Sequence, residues 1–176
     1  MKAIVAAEPS GPPVHDVVVP GEARFGMVFE NATKVAGTDM FRDDPRLKRY
    51  GLTDAPLTYA PAVTRESPLE FVQQEHAEAP DLVKCWRQKE PARKLVAIGE
   101  RPIIYLAAEA SFYAPYSHCT VGYLRQAGVD VSFVKLADIG LRGNGHMMMM
   151  EKNSDAIAQV IIEWLDKNVP AAPQPN

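Results

Sequence analysis

Apolar residues follow two periods along this chain, and the change from one to the other divides it into elements. Residues 3–7, AIVAA, and 102–108, PIIYLAA, are continuous apolar runs. Such runs suit short strands buried on both faces, as in a parallel sheet. Residues 129–136, VDVSFVKL, alternate instead and predict a strand nearer a sheet edge. Residues 116–128, YSHCTVGYLRQAG, predict a helix closed by Gly128. Residues 154–168, SDAIAQVIIEWLDKN, predict a second, stronger helix. Its apolar positions 157, 158, 161, 162 and 165 recur at helical spacing, Asn153 or Ser154 is placed to cap it, and Lys167 lies in its last turn. Strand, helix, strand, glycine-rich loop and helix form the ending of a doubly wound α/β sheet.

The stretch before that ending is less regular. Four prolines and two glycines make 8–22, EPSGPPVHDVVVPGE, a loop. From 24 to 95 the periodicity is poor and turn signals recur, with helices predicted across 68–77 and 79–95. A long loop-rich excursion of this kind reads as a cap over the sheet. The expected organisation is therefore one partial α/β domain over 1–176. Strand and loop occupy 1–23, a cap-like insertion 24–95, the end of the core 96–168, and a disordered tail 169–176. A sheet whose first strand begins at residue 3 is entered from nowhere, because parallel strands need crossover connections.

Composition narrows the function classes. The 176 residues are 47% hydrophobic with a formal net charge of −3, which fits one domain with a real core. No basic stripe suggests nucleic acid, and no apolar run approaches the ~20 residues of a membrane-spanning helix. MKAIVAA lacks the apolar stretch of a secretory signal, so cytoplasm is the default compartment unless the native N-terminus lies upstream. Cys85 and Cys119 match no metal-ligand spacing, and buried free thiols are expected in preference to a disulfide.

In open α/β sheets, sites form beyond the carboxyl ends of the strands. Glu8 and Glu109 follow the two apolar strands, and His146 lies on the loop after the third. An acid and a histidine brought together by neighbouring strand ends are two thirds of a catalytic triad. The acid orients the imidazole and the imidazole takes a proton from a nucleophile. Each residue also has a structural reading. His146 can serve a helix start, Glu8 can cap a turn before Pro9, and Glu109 can pair with Lys94 or Arg101. Met147 to Met150 read as core filling, and beside a catalytic histidine Met147 and Met148 would also line an acyl pocket. A metal held by His118, Cys119 and His146 has no supporting spacing, and neither metal nor cofactor is expected.

Four segments, AIVAAEPSGPP, YGLTDAPLTYAP, EASFYAPYSHCTVGYLRQAGVDV and GNGHMMMMEKNSDAIA, resemble bacterial and fungal esterase-like proteins of the α/β-hydrolase fold. The resemblance runs from the second residue to about 166. It implies a serine-type carboxylic ester hydrolase acting through an acyl-enzyme on a small-molecule ester, with no cofactor. It carries the base onto His146. In a related atypical esterase the acid follows a segment like AIVAAEPSG, which implies Glu8, whereas the commoner placement one strand later implies Glu109; Glu8 is the closer motif match.

The nucleophile elbow Gly-x-Ser-x-Gly precedes the strand carrying such an acid, and the motif occurs nowhere in this sequence. The chain therefore reads as the second half of an α/β hydrolase, and Met1 as an internal start, a mis-called start or a fragment edge. The alternative is a non-catalytic relic or binding module that associates with a partner chain, either a separate first half or a second copy of itself.

Overall fold

The computed structural model of the chain describes residues 2–9, 59–64, 66–67 and 69–170. The loop predicted after residue 9, the cap-like insertion as far as residue 58, and the last six residues of the predicted tail lie outside the described residues.

Three parallel strands carry the described core. Strand β1, Ile4–Ala7, pairs with β4, Ile103–Ala107, in the register Ile4 to Ile103 and Ala7 to Leu106. Strand β4 pairs on its other side with β5, Val131–Lys135, in the register Ile103 to Val131. All five residues of β4 are buried, as its unbroken apolar run predicts. Ile103, Tyr105 and Ala107 pack into one apolar cluster with Val121, Val129 and Val131. Ile104 and Leu106 point to the opposite face and pack with Leu136, Met148 and Ile157. The central strand β4 is thus covered on both faces, the arrangement that a parallel strand in a sheet interior needs.

The two predicted helices form. The first, α2, spans Ser117–Gln126 and follows α1, a single turn at Val96–Gly99. Helix α2 closes at Gly128, whose φ of 81° is left-handed, while the Val129 N–H reaches back to the Leu124 carbonyl at 3.0 Å. This is the 6→1 bond of a glycine-terminated helix. Helix α3 spans Ser154–Asn168. Its packed face is Ile157, Val160, Ile161 and Trp164, not the stripe through 158 and 162; Ile162 is 49% exposed. Trp164 also donates its indole N–H to Ser132 Oγ on β5 at 2.9 Å, fixing the helix to the sheet. Asn153 stands at the N-cap position as predicted, but its side chain makes no cap bond.

The helices predicted across 68–77 and 79–95 are not found. Strand β2, Phe71–Gln73, runs antiparallel to β3, Trp86–Gln88, in a two-stranded ribbon. The period that wins is two: Leu69 is buried and Phe71 partly so, while Val72 between it and Gln73 is 53% exposed. Pro91, with no N–H and a ring that clashes with the preceding turn, already argues against a helix continuing to 95. The free edge of β3 is satisfied by a helix side chain. Gln126 accepts from the Gln88 N–H at 2.9 Å and donates to its carbonyl at 2.8 Å, as a strand neighbour would.

The expectation of free thiols is also overturned. Cys85, at the start of β3, and Cys119, on α2, are joined by a disulfide and have no exposed surface. The signal was present only in three dimensions, because 34 residues separate the two cysteines. A cross-link closing a loop of that length restricts the unfolded chain and contributes roughly 3–4 kcal/mol in chain-entropy terms. The Cys85→Ser/Cys119→Ser double variant is therefore expected to lose about that much unfolding free energy, read in a urea titration as a lower midpoint with a somewhat steeper slope, because its denatured chain is no longer restricted. An unchanged midpoint would remove the disulfide from the stability of the fold.

Candidate active site

The site is assembled from the carboxyl ends of β1 and β4 and the loop after β5. Glu8 is the first residue past β1, and its N–H extends the parallel ladder to the Leu106 carbonyl at 3.1 Å. Its φ of 46° lies in the left-handed region, the one non-glycine residue with a positive φ among the described residues. Such a backbone costs on the order of 1 kcal/mol in a residue with a Cβ, and it persists only where surrounding contacts hold it.

Those contacts are evident. Glu8 is 2% exposed. One carboxylate oxygen accepts from the Ala108 N–H at 2.5 Å, and the other accepts from the Ser111 hydroxyl. A carboxylate buried this deeply is tolerable only when its oxygens are paired. The turn after β4 supplies both donors.

The oxygen bonded to Ser111 is also 3.6 Å from His146 Nδ1. That nitrogen is buried and has no hydrogen-bond partner among the described residues, while the His146 side chain as a whole is 30% exposed. The exposed part of the imidazole is therefore the part away from Nδ1. Two aromatic rings fix the imidazole plane: Phe112 and Tyr113 each lie 4.9 Å from it, centre to centre. Ser111 joins the acid and the rings, since its Oγ accepts from the Tyr113 N–H at 3.0 Å while its proton goes to Glu8.

Glu109 occupies a different place. Its carboxylate pairs with Arg142 at 2.8 Å and accepts from the Gly143 N–H at 3.0 Å. It ties down the histidine loop rather than meeting the imidazole, and it does not pair with Lys94 or Arg101: Lys94 Nζ donates to the Gln126 carbonyl and Arg101 to that of Ala97. Gly143 has a φ of 76° and needs to be glycine for that turn. Met148 is 1% exposed and belongs to the core cluster under β4. Met147, beside His146, is 50% exposed and offers apolar surface at the site.

His118 and Cys119 lie apart from this cluster. His118 Nε2 is 3.1 Å from Cys85 Sγ and 3.5 Å from Cys119 Sγ, and burial pushes its imidazole below the ordinary histidine range. Both sulfurs belong to the disulfide and carry no thiolate to give a metal. A surface cleft of about 620 Å³ runs along Leu69, Gln88 and Pro91 of the ribbon and shares no lining residue with the Glu8–His146 cluster.

Several residues of the cluster carry no site role in the sequence reading. Ser111, Phe112 and Tyr113 lie in the segment EASFYAPYSHCTVGYLRQAGVDV that carries the family resemblance, with no motif of their own. Asn144 and Glu151 flank His146, and Asn144 bonds both to Glu151 and to Asn153, the residue expected only as a helix cap.

No family profile matches the chain, and no solved structure matches it. Over 173 residues it is 36% identical to the probable secreted lipase phiG of Fungal sp. (strain ATCC 74256), a match covering 95% of this chain and 40% of that protein. The chain thus spans less than half the length of that relative. The similarity points to a lipase- or esterase-like family.

Proposed function

We propose that the chain carries the acid and the base of a serine-type carboxylic ester hydrolase whose nucleophile lies outside these 176 residues. The observation that supports this most is Glu8: a buried carboxylate in a left-handed backbone, both oxygens held, one of them 3.6 Å from the unpartnered Nδ1 of His146. That is the relation of acid to base in a triad. The separation is longer than a hydrogen bond, as is common before substrate draws a catalytic site together. The likeness to a protein named as a probable lipase supports the same class of chemistry.

In this reading a serine hydroxyl attacks the ester carbonyl while the exposed nitrogen of His146 takes its proton. The Nδ1–H turns toward Glu8, whose charge stabilises the imidazolium. Collapse of the tetrahedral intermediate breaks the acyl–oxygen bond, and His146 returns the proton to the departing alcohol. Water then repeats the sequence on the acyl-enzyme, releasing the carboxylic acid and the serine. Met147 and Phe112, both about half exposed beside His146, are the apolar surface offered to the acyl or alcohol group. No step needs a cofactor.

A second reading is a module that docks on a partner chain without catalysis. It is favoured by β1, which has no strand on its outer edge among the described residues and leaves Val5 41% exposed. One experiment separates the two. A serine-directed fluorophosphonate is expected to label the product translated with its in-frame upstream sequence and to leave the 176-residue chain unlabelled. Labelling of the short chain would contradict the assignment of the nucleophile. No labelling of the longer product would favour the docking module.

A further inference from the structure

We propose that Glu151, acting through Asn144 and Gly145, is a positioning residue that sets His146 against Glu8; this rests on the reading of those two as base and acid. His146 stands on a loop, and a loop by itself does not hold a side chain to the few tenths of an ångström that proton transfer needs. The two residues before it are held by one carboxylate. Glu151 Oε1 accepts from the Gly145 N–H at 2.7 Å, and Oε2 accepts from Asn144 Nδ2 at 2.6 Å.

Asn144 is 1% exposed, and its amide is fully used. Its second N–H goes to Asn153 Oδ1 at 2.6 Å, and its oxygen accepts from Asn153 Nδ2 at 3.0 Å. Asn153 is the N-cap residue of α3, which explains why its side chain makes no cap bond: it is committed to the loop. The backbone carbonyl of Asn144 then accepts from the Ala110 N–H at 2.8 Å. Ala110 lies two residues beyond Ala108, whose N–H holds Glu8. A continuous path of short contacts therefore runs from the start of α3, through Glu151 and Asn144, to the turn that fixes the acid. The histidine and the carboxylate are registered to one another through it.

The path makes a specific demand on Glu151. Both of its oxygens face donors, so the group must be acceptor-only. Glutamine has nearly the same shape, yet it would turn an NH2 onto either the Gly145 N–H or the Asn144 amide, and one buried donor would lose its partner. A role in bulk packing would tolerate that change; a role in holding two donors would not.

The test uses the 176-residue chain and the longer product in parallel. In the chain, proton NMR contacts between the His146 ring and the rings of Phe112 and Tyr113 report where the imidazole sits, with near-UV circular dichroism to confirm folding. Glu151→Gln is expected to weaken those contacts. Asn153→Ser, which removes both bonds between Asn153 and Asn144 but leaves Glu151 on the Gly145 N–H, is a second variant and is expected to shift the same contacts. In the longer product, Glu151→Gln is expected to lower kcat by on the order of 10- to 100-fold with little change in KM. Ring contacts identical to wild type in a folded Glu151→Gln chain would overturn the proposal. Shifted contacts with no ester hydrolysis by any form of the longer product would leave the positioning role standing and overturn the function proposed for the site.

Discussion

Replacing His146 with alanine is expected to lower kcat for ester hydrolysis by on the order of 10³- to 10⁶-fold, measured in the product translated with its upstream sequence. Among the described residues no second imidazole lies beside Glu8 to take its place. Of the other three histidines, His118 lies against the Cys85–Cys119 disulfide, His76 is exposed beyond β2, and His15 lies outside the described residues. Without a base the attacking hydroxyl keeps its proton, and the leaving alcohol receives none. KM is expected to change little, because the ring takes its proton in the transition state. Wild-type-like turnover in a folded His146→Ala enzyme would remove the histidine from the mechanism and leave it as a loop residue packed between Phe112 and Tyr113.

The second large effect separates the two candidate acids. Glu8→Gln is expected to lower kcat by on the order of 10²- to 10⁴-fold, and Glu109→Gln by less than about tenfold. An amide at position 8 carries no charge for the imidazolium. It also has one acceptor where the Ala108 N–H and the Ser111 hydroxyl together require two, so the His146 tautomer is no longer imposed. Glu109 pairs with Arg142 where both side chains are well exposed to water, and such pairs contribute up to about 1 kcal/mol. Equal losses in the two variants would mean that loop anchoring, not charge beside the imidazole, controls the rate. A larger loss in Glu109→Gln would move the acid one strand later.

The parts of the fold that the sequence revealed are those where one periodicity dominates. The run PIIYLAA is apolar at every position because β4 is covered on both faces, and the α2 stop at Gly128 is a single glycine adopting the left-handed turn that only glycine adopts freely. Helix α3 was legible in extent but not in rotation, since its packed face is decided by where Trp164 meets Ser132. The ribbon from 71 to 88 departs from the helices that its pattern predicts. Its strands are three residues long, too short for alternation to outweigh an accidental helical spacing, and what stabilises them is distant: Gln126 on α2 and the disulfide to Cys119.

The same division holds at the candidate site. Glu8 and His146 were visible because each follows a strand, which is a positional rule. That Glu8 rather than Glu109 faces the imidazole was settled in the fold by the Ser111 hydroxyl and the Ala108 N–H, neither of which carries a motif. Of Met147 and Met148, adjacent and identical in kind, one lies at the surface and the other in the core. Their separation comes from a 3-10 turn at Met148–Met150 that no hydrophobic pattern predicts.

The measurement that bears most directly on the proposed pair of Glu8 and His146 is the nucleotide sequence immediately upstream of codon 1. An in-frame stretch encoding a strand, a Gly-x-Ser-x-Gly turn and a helix before β1 is the predicted result, and it would bring a nucleophile to the strand end beside them. A stop codon close upstream, with no room for that turn, would contradict it and leave an acid and a base with no serine to activate.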